Sequence, residues 1–228
     1  MKKYTYLMFD VDGTLMDFKK GEDCAIRESL RIHHIPCTPE LPGLYSKIND
    51  GFWKRFEKGE ISREQVLTGR FEEVFREIGV DADPEAFEQT YQDLLGQQVF
   101  YVEGAVDLIR DLSSRYYLCV MTNGVSRTQY SRLKKNHFDQ YFRHIFVSED
   151  TGYQKPMKGY FDYCFNRIPG FSADEALIIG DSLTSDIKGG ANAGVDTCWY
   201  NPDGQQAGAD AVITYEISRL EQLREICP

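Results

Sequence analysis

Asp10 and Asp12 close a short apolar run over residues 4–9 and are followed at once by Gly13-Thr14. Aromatic and aliphatic side chains fill the run and a glycine bounds it, which predicts a buried strand. Two carboxylates two residues apart at the end of such a strand lose water and repel each other. A cation would offset both costs, and carboxylate oxygens suit Mg²⁺. The same pair could also supply a nucleophile and a general acid or base. An ordinary Asp-Gly turn explains these five residues equally well, because both residue types favour turns. The marks that decide between these readings lie further along the chain.

Positioning such groups requires a scaffold, and the second half of the sequence describes one. Residues 116–121 form an apolar run that ends in Thr122-Asn123-Gly124, and residues 145–147 form another. Gly152-Tyr153-Gln154-Lys155-Pro156 then precedes a helix carrying Tyr160, Phe161, Cys164 and Phe165. Residues 176–179 are a further apolar run ending in Gly180-Asp181-Ser182, followed by a helix rich in small residues over 186–194. Two short strands are expected at 197–200 and 211–214, and a last helix carries Ile217, Leu220, Leu223 and Ile226. Nearly all-apolar strands alternating with helices predict a parallel sheet covered on both faces. In such sheets the functional crevice opens at the carboxyl ends of the strands. The polar marks fall there: Asp10 and Asp12, Thr122 and Asn123, and Asp181.

Between the first strand and this scaffold the pattern is helical. Tyr45, Ile48, Phe52, Trp53 and Phe56 recur at helical spacing. Ser62-Arg63-Glu64-Gln65 is a capping-box pattern, and an apolar face through Val66, Leu67, Phe71, Val74, Phe75 and Ile78 is expected to run on to Gly79. Asp83-Pro84 predicts the cap and first turn of another helix with Phe87, Tyr91, Leu94 and Leu95. The expected organisation is an α/β doubly wound, Rossmann-like parallel sheet over residues 1–16 and 99–228. An α-helical cap domain is inserted over 17–98.

Composition narrows the function. The 228 residues carry a net charge of −10 with 42% hydrophobic and 13% aromatic content, and the pI is about 4.9. That fits a globular chain with a sizeable core. It argues against a nucleic-acid polymer or an anionic membrane as partner, since both need positive patches. A small anionic substrate needs only a few local cations. The six cysteines form no CxxC pair and read as buried free thiols. The four histidines show no metal-ligand spacing and read as surface or helix-end residues. Lys2-Lys3 precedes an apolar run too short for a signal-peptide core or a membrane span, so a cytoplasmic setting is the expectation. A monomer is compatible with all of this.

Four marks in order, Asp10-Val11-Asp12-Gly13-Thr14, Thr122-Asn123-Gly124, Lys155-Pro156 and Gly180-Asp181-Ser182 with Asp186, resemble the haloacid dehalogenase superfamily of aspartate-dependent phosphotransferases. The resemblance covers the whole chain, since the helical insertion matches that family's small α-helical cap. It implies that Asp10 is the nucleophile and Asp12 the general acid and base. It implies that Thr122, Asn123, Gly124 and Lys155 bind the phosphoryl group. Mg²⁺ would be held by Asp10, the backbone carbonyl of Asp12 and Asp181, with Asp186 orienting a metal-bound water or Lys155 from behind. The superfamily's dehalogenases lack the second acidic residue and its ion pumps put Thr there, so Asp12 implies phosphate chemistry with rapid hydrolysis.

The insertion adds a looser resemblance. Asn49, Trp53, Lys58-Gly59-Glu60-Ile61, Gly69-Arg70-Phe71-Glu72 and Thr197-Cys198-Trp199-Tyr200-Asn201 are similar to bacterial pyrimidine 5′-nucleotidases acting on non-standard nucleotides. The implied activity is a Mg²⁺-dependent phosphatase of small phosphorylated metabolites, with nucleoside 5′-monophosphates first. A sugar-phosphate phosphatase or phosphomutase and an inorganic pyrophosphatase are the alternatives, and a catalytically dead binding protein is the reading from another class. Phe18 and Trp53 are candidate stacking faces for a base, and Arg70 a candidate donor to the nucleoside. Core packing is the competing reading for Trp53, a hinge or core place for Phe18, and an ion pair or a solvated charge for Arg70. The cap is expected to close over the crevice.

Overall fold

A computed structural model describes residues 3–228; Met1 and Lys2, including half of the Lys2-Lys3 pair, lie outside the described residues. The chain divides into two compact units, Met1–Asp17 with Tyr101–Pro228, and Phe18–Phe100.

The first unit is built on a parallel six-stranded sheet. Its strands are β1 (Tyr6–Phe9), β2 (Tyr117–Thr122), β3 (His144–Val147), β4 (Ala176–Gly180), β5 (Asp196–Tyr200) and β6 (Tyr215–Ile217), in the order β3-β2-β1-β4-β5-β6. The all-apolar strands follow from burial on both faces. Tyr6, Met8, Cys119, Met121, Ala176 and Ile178 pack with Tyr160, Phe161 and Cys164 on one side. Leu7, Phe9, Leu118, Val120, Leu177 and Ile179 alternate with them, point to the other side, and are equally buried. The register aligns Phe9 with Val120 on one neighbour and Ile179 on the other. The chain therefore leaves β1 toward β2 and β3, and returns to the opposite side of β1 with β4. That reversal makes a topological switch point beside β1, where open α/β sheets bind ligands.

The helices of the second unit are α1 (Phe18–Ile32), α2 (Leu41–Glu57), α3 (Arg63–Leu67), α4 (Gly69–Ile78) and α5 (Pro84–Leu95). Their shared core is Ala25, Ile26, Leu30, Leu41, Tyr45, Phe71, Val74, Phe75, Phe87, Tyr91 and Leu95 with Ile35. Tyr45 stacks on Phe71 at 5.3 Å between ring centroids. The caps follow sequence chemistry: Ser62 and Gln65 form a reciprocal capping box, Asp83 accepts from the amides of Glu85 and Ala86, and Gly79 ends α4 in the left-handed region. One helix had been expected across 62–78, but it breaks at Thr68. The Thr68 hydroxyl bonds back to the Glu64 carbonyl, and Gly69 lies against the Phe52 ring where a β-carbon would be 2.9 Å away.

The remaining helices, α6 (Ala105–Leu112), α7 (Ser126–Lys134), α8 (Ser148–Thr151), α9 (Lys158–Phe165), α10 (Lys188–Asn192) and α11 (Leu223–Ile226), belong to the first unit. The helix expected over 186–194 is present as α10, and it is entered through a π-helical turn, Leu183–Ile187, capped by Ser182. The last strand is displaced from 211–214 to β6, because Thr214 and Val212 meet Thr197 through hydroxyl bonds before the backbone ladder begins at Tyr215. His144 opens β3, half-buried with its ring stacked on Phe146, so it is a strand residue and not a helix-end one. Cys119, Cys164, Cys198 and Cys227 are buried thiols, whereas Cys24 and Cys37 are exposed.

Candidate active site

Three neighbouring strands deliver the polar marks to one edge of the sheet. Asp10 follows the last residue of β1, Thr122 ends β2, and Asp181 follows β4. Lys155 reaches the same place from the segment between α8 and α9. Its ammonium donates to Asp10 Oδ1 at 2.6 Å, to Asp186 Oδ1 at 2.6 Å and to the Met121 carbonyl at 2.7 Å. A lysine ammonium has three donors, and here all three are committed. Lys155 thus fixes the Asp10 carboxylate, while Asp10 Oδ2 takes no hydrogen bond from the described residues.

The loops around this contact are locked by short-range chemistry. Asn123 holds the backbone of Lys155 from both sides: its amide nitrogen donates to the Lys155 carbonyl and its oxygen accepts the Lys155 amide, each at 2.9 Å. The Gly124 amide donates to the Thr122 hydroxyl at 3.1 Å, which curls the turn after β2. Asp186 Oδ2 accepts the Ser182 amide, so Asp186 joins Lys155 to the turn after β4. That approach requires Gly180, where a β-carbon would lie 2.2 Å from Asp186 Oδ2. Gly13, at φ +87°, permits a left-handed turn, and a β-carbon there would lie 2.5 Å from Asp181 Oδ2. Asp181 is further fixed by the Thr14 hydroxyl, 3.1 Å from Oδ1, and by the Trp199 indole, which donates to its backbone carbonyl.

Electrostatically the cluster carries more negative charge than Lys155 offsets. Burial pushes the Asp10 carboxyl well above the usual carboxylate range; Lys155 opposes the shift, and the charges of Asp186 and Asp181 add to it. Burial alone would lower the Lys155 pKa, but Asp10 and Asp186 outweigh it and hold the ammonium protonated. Enclosure by neighbours pushes the Asp181 carboxyl up to about 7, with Asp186 adding and Thr14 opposing. The side chain of Asp181 is nonetheless exposed, so solvent screens part of that effect. Asp10, Asp181 and Asp186 each present a carboxylate oxygen within 4.8 Å of the others. An all-oxygen set of crowded carboxylates is the donor chemistry of Mg²⁺, and these residues fit that ion.

Asp12 sits in the same loop but turns to α7. Its Oδ1 lies 2.6 Å from Arg132 Nη1, and its Oδ2 accepts from Gln129 Nε2 at 2.5 Å. Neither partner was anticipated. The available signal was their i, i+3 spacing beside Thr128 and Leu133, on the buried face of α7. The role of Thr14 beside Asp181 was also missed.

The candidates from the insertion belong to the second unit. Phe18 opens α1 half-buried against the core of the helical unit. Trp53, on α2, is half-buried with its ring edge-on to Phe56 at 5.7 Å. Arg70 takes the ion-pair place that competed with a nucleoside contact. It is 1% exposed, with Nη1 donating to Asn49 at 2.6 Å and Nη2 to Glu88 at 2.5 Å, over the rings of Phe71 and Tyr91. Asn49 in turn donates to Glu22, and Gln92 donates to Glu88. A buried guanidinium needs such partners, which makes Arg70 the centre of a polar network inside the unit.

The chain is similar to known proteins over nearly its whole length. The chain is 48% identical over 226 residues to the HAD-hydrolase YfnB of Bacillus subtilis, covering 99% of this chain and 96% of that protein. It is 37% identical to the pyrimidine 5′-nucleotidase PynA of Streptococcus pneumoniae, covering 96% and 93%. A crystal structure of YfnB bound to magnesium superposes with a TM-score of 0.95 over 99% of both chains, at 48% identity. The haloacid dehalogenase-like hydrolase family matches residues 7–200, and the chain belongs to that family.

Proposed function

We propose that this hydrolase is a Mg²⁺-dependent phosphatase that cleaves small phosphate monoesters through an aspartyl-phosphate on Asp10, with nucleoside 5′-monophosphates as its substrates. The observation that carries the chemistry is the Asp10 carboxylate at the switch point, with Oδ1 pinned by Lys155 and Oδ2 taking no hydrogen bond from the described residues. A pinned carboxylate pays little to reach an attack geometry.

In the first half-reaction Asp10 Oδ2 forms a bond to phosphorus as the bond from phosphorus to the ester oxygen breaks. Asp12 gives its proton to that leaving oxygen, which departs as the alcohol. In the second, Asp12 takes a proton from a water whose oxygen bonds to phosphorus. The Asp10–phosphorus bond breaks, inorganic phosphate leaves, and both carboxyl groups are back in their starting states. The Thr122 hydroxyl and the backbone amides of Asn123 and Gly124 bind phosphoryl oxygens. Lys155 binds by charge, because its protons hold Asp10 and Asp186. Mg²⁺, held by Asp10, Asp181 and the backbone carbonyl of Asp12, supplies Lewis-acid neutralisation of the phosphate charge when bound. Asp186 orients Lys155, and through it Asp10.

The nucleotide assignment is supported by end-to-end similarity to a pyrimidine 5′-nucleotidase. A phosphate-release screen over nucleoside monophosphates, sugar phosphates and pyrophosphate, with Mg²⁺ or chelator, tests it. The expected result is the highest kcat/KM for a nucleoside 5′-monophosphate and none with chelator. A preference for a hexose phosphate or pyrophosphate would overturn the nucleotide assignment and leave the phosphatase chemistry standing.

A further inference from the structure

We infer that Gln129 and Arg132 of α7 form a clamp that positions Asp12 and assigns its two oxygens different tasks. The inference rests on the reading of Asp12 as general acid and base. Its basis is that one helix face meets both carboxylate oxygens: Oδ1 pairs by charge with Arg132, 2.6 Å from Nη1 but outside hydrogen-bond geometry, and Oδ2 takes the Gln129 amide proton at 2.5 Å. The clamp is built into the interior, with Gln129 1% and Arg132 2% exposed. A guanidinium that deep is costly unless paired, and among the described residues Asp12 is its ion-pair partner.

A second observation ties the clamp to the phosphate side of the site. The Gln129 side chain passes directly over Gly124, where a β-carbon would lie 2.0 Å from Nε2 and 2.8 Å from Cδ. Glycine at the end of Thr122-Asn123-Gly124 is therefore required by the route Gln129 takes to Asp12, apart from any need of the backbone to approach phosphate.

The donor chemistry then separates the two oxygens. Guanidinium keeps its positive charge and has no acceptor, so the Oδ1 paired with Arg132 stays unprotonated. The amide nitrogen of Gln129 is likewise a donor only and fills one lone pair of Oδ2. The second lone pair of Oδ2 is where the catalytic proton is carried. Gln129 and Arg132 touch neither substrate nor the reacting atoms. They are positioning residues that act through Asp12.

The test measures kcat and KM for p-nitrophenyl phosphate and an alkyl phosphate in Gln129→Ala, Arg132→Met, Arg132→Lys and Asp12→Asn, and in each clamp substitution combined with Asp12→Asn. Thermal midpoints check folding, and Gln129→Ala carries the test if Arg132→Met does not fold. Loss of either clamp residue is expected to lower kcat for the alkyl phosphate about 10- to 100-fold, the scale seen for partners that orient a reacting group. The p-nitrophenyl ester, whose leaving group needs little protonation, should fall less, and KM should change little. Arg132→Lys should recover part of the loss. In the Asp12→Asn background the same substitutions should have little further effect. Equal losses for the two esters, or full losses that persist without Asp12, would make the pair purely structural and overturn the clamp. If Asp12→Asn itself fails to discriminate the esters, the acid–base reading falls and the clamp with it.

Discussion

Replacing Lys155 by Met removes the cation around which the acidic cluster is assembled. Two charge-assisted contacts at 2.6 Å and one hydrogen bond to a carbonyl at 2.7 Å disappear together, at a side chain that is 2% exposed. Two unit charges 2.6 Å apart attract by about 6 kcal/mol at an effective dielectric constant of 20. The cost of burying the ammonium and the carboxylates cancels much of that gain. Removing one partner of a buried pair destabilises by about 3–5 kcal/mol. For a chain of this size each kcal/mol moves the melting temperature by about 2–4 °C, so Lys155→Met should melt about 6–20 °C below wild type in chelator. Because the loss comes from uncompensated carboxylates, Asp186→Asn in the same chain should recover part of it. A coupling of about 1–3 kcal/mol between the two substitutions is expected. Saturating Mg²⁺ should also raise the melting temperature of Lys155→Met more than that of wild type. The assay is thermal denaturation of the four variants in the cycle, with and without Mg²⁺. Strictly additive losses, or a Lys155→Met protein as stable as wild type, would refute the reasoning.

Other predictions follow from the same geometry. Asp12→Asn should lower kcat by about 10²–10⁴ on alkyl phosphates and less on p-nitrophenyl phosphate; equal losses would argue against proton transfer by Asp12. Asp181→Ala should raise the Mg²⁺ concentration for half-maximal rate, read from a metal titration of activity and of the melting temperature; an unchanged titration removes Asp181 from the metal site. Arg70→Met leaves Glu88 buried without its cation, and should cost about 3–5 kcal/mol of stability. It should lower kcat/KM for a nucleotide and for p-nitrophenyl phosphate in parallel, whereas a selective loss for the nucleotide would restore Arg70 as a substrate contact.

The parts of the fold that sequence revealed are those where burial is one-dimensional. β1, β2 and β4 are buried on both faces, so each reads as an unbroken apolar run, and each ends where a polar residue meets the crevice. Contacts across the chain were less legible. Gln129 and Arg132 share the buried face of a polar helix with Thr128 and Leu133, but that spacing does not name the carboxylate they meet, 117 residues before Gln129. The sequence left Arg70 open between a nucleoside contact, an ion pair and a solvated charge for a related reason: arginine is rarely buried, and its partners Asn49 and Glu88 lie on different helices. The break at Thr68 and the shift of β6 depend on single hydroxyl bonds and a ring contact, which periodicity does not register. Asn123 is instructive in another way, because its motif suggests phosphate binding while its side chain serves to hold Lys155.

The central claim is a covalent bond between Asp10 and phosphorus. Its most direct measurement uses Asp12→Asn with p-nitrophenyl phosphate and Mg²⁺, since that leaving group needs little protonation while hydrolysis of the intermediate lacks its base. The reaction is quenched during turnover, reduced with borohydride and mapped by peptide mass spectrometry. Asp10 should be converted to homoserine, only in the presence of substrate and Mg²⁺. Asp10 recovered unchanged while another residue carries the modification would contradict it.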